Sequence, residues 1–108
     1  SEPNGIKWIY SIQEILMREG RIREEIDKGG NADILLKNPV FIETFETLEK
    51  EFLEAWKTSG LKDTEERERL YYLFQSLQAL KVRIENFSAN GRMAKSQLDQ
   101  LVGKTYNS

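Results

Sequence analysis

Glutamates recur at Glu43, Glu46, Glu49, Glu51 and Glu54, mostly at three-residue steps, with Lys50 set among them. Carboxylates three residues apart share a helix face, and together they can offer hard oxygen ligands to a cation such as magnesium. A helical site of that kind needs a second acidic pair from a facing helix, and no ExxD pair follows Asp63. The series therefore reads as the solvated face of a helix. The other chemistry-bearing types are missing outright, since the chain has 0 histidines and 0 cysteines. Serine and threonine hydroxyls have no imidazole to activate them, and thiolate zinc sites and disulfides are excluded. There is no Gly-rich phosphate loop. We expect no catalytic residues, no metal and no cofactor.

Two further sets of residues suit binding. Tyr71 and Tyr72 are adjacent, so at least one points away from whatever core Leu70 and Phe74 enter, and a tyrosine ring with its polar tip suits a partner surface. Lys81, Arg83, Arg92 and Lys95 outnumber Glu85 and Asp99 in the last third of the chain, a balance that suits phosphate contact. The chain as a whole carries no basic field: 16 basic residues face 18 acidic ones, a net charge of -2.

The elements that must position these residues are helices. Of 108 residues, 39% are apolar and 31% charged, which predicts one folded domain over residues 1–108. Trp8, Ile12, Ile15, Glu19, Ile22 and Ile26 alternate steps of four and three, one stripe of an amphipathic helix over residues 6–28. Its second half is densely charged, so the stripe has only another helix to pack on, in its own chain or in a neighbouring copy. We expect Gly29–Gly30 to end this helix, with Asn31 capping a short turn that carries Ile34 and Leu35.

Asn38 before Pro39 is a strong helix start. Phe41, Phe45, Leu48, Phe52 and Ala55–Trp56 give the second helix its buried stripe as far as residue 59, and Gly60 suits a left-handed C-terminal position. Asp63 with Glu66 fits a capping box that starts a third helix over residues 64–88. Leu70, Leu73, Phe74, Leu77, Leu80, Ile84 and Phe87 continue it to an expected stop at Asn90–Gly91. Ala94, Leu98 and Leu101 mark a short final helix before a flexible tail, 103–108. The expected fold is all-α: an antiparallel helical hairpin within a core of residues 31–101, a long N-terminal amphipathic helix for oligomerisation or docking, and a short C-terminal helix. No apolar run is long enough to span a membrane, and "SEPNGIKWIY" lacks a basic region followed by an apolar core, so no membrane partner is expected.

The run from Ala32 to Leu101, about two-thirds of the chain, resembles a family of small helical proteins encoded among tailed-bacteriophage head and DNA-packaging genes. The resemblance is carried by "LLKNPVF", by "AWK" before the turn, by "DTEERERLY" after it and by "NGRMAKSQL" near the end. It implies a non-enzymatic bacteriophage protein acting through helix-mediated association in virion assembly, located in the host cytoplasm or on the virion. Partners would be further copies of the chain, or another phage or host protein. Trp8, Ile12, Ile15, Ile22 and Ile26 would form the binding seam, with Tyr71 and Tyr72 as anchors. Two other roles fit a small acidic helical domain: a nucleic-acid-binding packaging factor resembling a small terminase subunit, and a phage-encoded inhibitor of a host protein. The first helix is longer than the family leads one to expect, which suggests an added association element.

Overall fold

A computed structural model describes the backbone of residues 4–107 and the side chains of residues 9–103. The chain is all-α, and the described residues form three helices: α1 (Asn4–Lys37), α2 (Pro39–Thr58) and α3 (Thr64–Asn107). It divides into two compact units, one of Ser1–Asn31 with Phe87–Ser108 and one of Ala32–Asn86, so α1 and α3 each contribute to both.

The second unit holds the expected hairpin. Asn38 is the N-cap of α2, its Oδ1 accepting from the backbone N–H groups of Val40 and Phe41 at 2.9 and 3.2 Å. The residue before a proline is sterically barred from helical backbone, so Asn38 alone separates α1 from α2. The antiparallel run of α2 and α3 is marked by three contacts. Gln78 Nε2 donates to Glu49 Oε2 at 2.5 Å, the Lys81 ammonium lies 4.9 Å from the Phe45 ring centre, and the Arg67 guanidinium lies 4.5 Å from that of Trp56. Phe45, Leu70 and Leu77 are buried between the helices.

The link between α2 and α3 differs from expectation in two ways. Gly60 adopts no left-handed backbone; no glycine among the described residues has a positive φ. Ser59 caps α2 in an extended conformation. The free carbonyls at its end are met by side chains: the Ser59 hydroxyl donates to Trp56 O at 2.6 Å, and Thr58 Oγ1 to Glu54 O at 3.0 Å. With those acceptors satisfied, a left-handed glycine has nothing to add. Nor do Asp63 and Glu66 form a capping box. Glu66 turns forward to the Arg69 guanidinium, in contacts of 2.7 and 3.1 Å, because a fixed positive charge holds a carboxylate more strongly than a backbone N–H does.

The larger departure lies in the first unit. Gly29–Gly30 does not end α1, which continues through Asn31 for 34 residues. Asn90–Gly91 and Gly103 do not end α3, which runs for 44 residues, so the expected short C-terminal helix is the continuation of α3. The helices lie antiparallel and cross where Gly29 meets Gly91. A Cβ added at Gly29 would sit 2.6 Å from Gly91 Cα, and one added at Gly91 would sit 2.7 Å from Gly29 Cα. Glycine's helix-breaking cost of about 1 kcal/mol is offset by a contact that no other residue permits. Ile22, Ser88 and Ala94 are buried beside this crossing.

Two predictions follow from these contacts. Gly20→Ala and Gly30→Ala, where an added Cβ meets nothing within 4 Å, should stabilise the protein by up to about 1 kcal/mol. Gly29→Ala and Gly91→Ala should destabilise it by about 1–3 kcal/mol despite the same gain in helix propensity. Urea denaturation of the four variants checks the sign, and a uniform stabilisation would refute the crossing. The second concerns pH. The Arg69 hydrogen bond holds the exposed Glu66 carboxyl below its ordinary value. The pair's contribution is therefore complete above the usual carboxylate range and is lost as pH falls through the lowered folded value. Melting temperatures of the wild type and Arg69→Gln should differ at neutral pH and converge in acid; a difference that persists in acid rules this out.

Candidate interaction surfaces

In the first unit the expected seam is divided. Ile22 is buried in the α1–α3 contact, and Ile12 and Ile26 are half-buried, whereas Ile15 is 62% exposed at the rim of a cleft it shares with Leu98, Leu101 and Val102. The Trp8 side chain lies outside the described residues. Part of the stripe is thus used within the chain, against the C-terminal half of α3.

A neighbouring cleft of 510 Å³ sets Arg18, Arg21 and Glu25 against Gln97 and Gln100. Ile22 and Leu101 complete its lining, and its guanidinium, amide and carboxylate groups can bind polar ligands but supply no nucleophile with a base.

A second apolar face of α1 escaped the sequence reading. Ile9, Tyr10, Leu16 and Met17 are all at least half exposed. Their signal was present as two pairs seven residues apart, Ile9 with Leu16 and Tyr10 with Met17, but the longer stripe through Ile22 concealed it.

In the second unit, Phe52, Leu53, Trp56, Leu70, Tyr71 and Phe74 line an apolar groove of 220 Å³ between α2 and α3. Both tyrosines are exposed, with ring centres 5.9 Å apart in an edge-on arrangement; Tyr71 lines the groove, and Tyr72 reaches Glu68 Oε1 at 3.5 Å. Trp56, expected in the buried stripe, is 40% exposed, and Ala55 is exposed too. Arg67 covers one face of the indole, and its Nη1 donates to Trp56 O at 3.3 Å and Ser59 Oγ at 2.9 Å. One guanidinium thereby closes α2 and holds the rim of the groove.

The basic residues are divided between the two units. Lys81 and Arg83 belong to one unit, Arg92 and Lys95 to the other. Lys81 is half-buried over Phe45, Arg83 lies about 160° around the helix from it, and Arg92 donates to Ser88 Oγ at 2.6 Å. Of the glutamate series, Glu49 is engaged by Gln78, and Glu43, Glu46, Glu51 and Glu54 are exposed. Among the described residues no three acidic side chains converge on a cation position. No helix among them is long and apolar enough to cross a membrane.

Arg67→Ala should lower stability by about 1–2 kcal/mol through loss of the helix-end hydrogen bonds and the cation–π contact. Arg67→Lys, which keeps the charge but lacks the planar fork, should recover less than half of that. An unchanged urea midpoint for Arg67→Ala would rule out this role. The chain matches no family model, no curated protein and no solved structure.

Proposed function

We propose that this is a non-enzymatic protein acting through helix-mediated association, with itself or with another component, and that its setting is bacteriophage head assembly or DNA packaging. The observation that carries the reading is the surface left uncovered. Among the described residues six apolar side chains are buried, while twenty large ones are exposed, Leu53, Trp56, Tyr71, Leu16 and Met17 among them. Single exposed apolar residues are ordinary; contiguous ones mark association surfaces.

The phage setting rests on the resemblance between Ala32 and Leu101. The non-enzymatic reading rests on composition, since a chain with 0 histidines and 0 cysteines offers no activated nucleophile. Light scattering across micromolar concentrations should give a solution mass at a multiple of 12.6 kDa, with a melting temperature that rises with concentration. A cooperatively folded monomer with a concentration-independent melting temperature would overturn self-association.

A further inference from the structure

The exposed face of α1 has a pattern that specifies its partner. At 100° per residue, Ile9 and Leu16 form one row along the helix, and Tyr10 and Met17 form a second about 100° round from it. Gln13, also exposed, lies between the two rows. Gln13 and Ile22 are nine residues apart, about 180° around the helix. The face centred on Gln13 is therefore opposite the side that Ile22 buries against α3.

Along the chain this face is a palindrome: an apolar pair, Gln13 at the centre, an apolar pair. We infer that the occupant is a second copy of the same helix, running antiparallel, with the two-fold axis at Gln13. This rests on the association reading above and names its surface and partner. Ile9 then faces Met17 of the second copy, and Tyr10 faces Leu16, so each apolar row meets an apolar row. The Gln13 side chain meets itself across the axis, and two amides can each donate to and accept from the other. A polar residue at one such position sets register.

Charge selects antiparallel over parallel. Glu14 is the one charged residue from Ile9 to Met17, whereas residues 18–28 carry eight charges. Continued along α1, the exposed face reaches Gly20, Glu24 and Asp27. A parallel pair would lay Glu24 on Glu24 and Asp27 on Asp27, like charges that repel. An antiparallel pair centred on Gln13 sets neither acid on its own counterpart, and Glu24 keeps its partner within the helix, Lys28, at 3.5 Å. An isologous two-fold is also the commonest way for a single patch to be covered.

The chain has 0 cysteines, so single-cysteine variants of the full chain test the register directly. Under mild oxidation Gln13→Cys should form a disulfide-linked dimer by itself. Ile9→Cys and Met17→Cys should link poorly alone and efficiently when the two are mixed. The double variant Leu16→Asp with Met17→Asp should reduce the solution mass to 12.6 kDa with helical circular dichroism retained. Linking of Ile9→Cys and Met17→Cys each with itself, and not with one another, would overturn the antiparallel register. If no variant links while the wild type remains a multiple of the chain mass, copies associate through another face, and this inference fails with the association reading intact. A wild-type monomer would overturn both.

Discussion

The closest constraint in the molecule is the approach of two backbones at Gly29 and Gly91. Neither position has room for a single carbon, since an added Cβ would fall within 2.7 Å of the opposite Cα. An approach this close requires both helices to pass through the point with no side chain between them. That is why α1 and α3 run through the glycines instead of stopping at them. It also decides which side of α1 is covered: Ile22 turns toward α3, and the face around Gln13 is left bare.

The first unit gains closeness there but little apolar burial. Its buried side chains near the crossing are Ile22, Ser88 and Ala94, small groups apart from the isoleucine. The second unit buries Phe45, Leu70 and Leu77, yet Trp56 and Tyr71 stay half open beside the groove they line. Thin cores and wide apolar surfaces have one physical cause, because a two-helix layer covers one side of each helix and leaves the other to be covered from elsewhere.

Arg67 and Glu66 show how long charged side chains shaped details that local rules misjudge. The capping box and the left-handed glycine cap are both ways of satisfying free backbone groups at helix ends. Here the Ser59 hydroxyl and Arg67 serve the end of α2, and Arg69 draws Glu66 away from the start of α3. These partners come from neighbouring turns or from the facing helix, so three-residue signatures did not reveal them.

Local chemistry alone determined the all-α class, the Asn38–Pro39 junction, the outward series Glu43, Glu46, Glu51 and Glu54, and the antiparallel hairpin, each resting on one helix or one short link. Tertiary structure decided the rest. Whether Gly29 and Gly91 break a helix or permit a crossing depends on a residue 62 positions away, beyond any local signal. The same holds for the stripe on α1: periodicity placed Ile15 and Ile22 together, but the line of approach of α3 buried one and exposed the other. Helical spacing states which residues share a face, and only the packing of a second helix decides which face is covered.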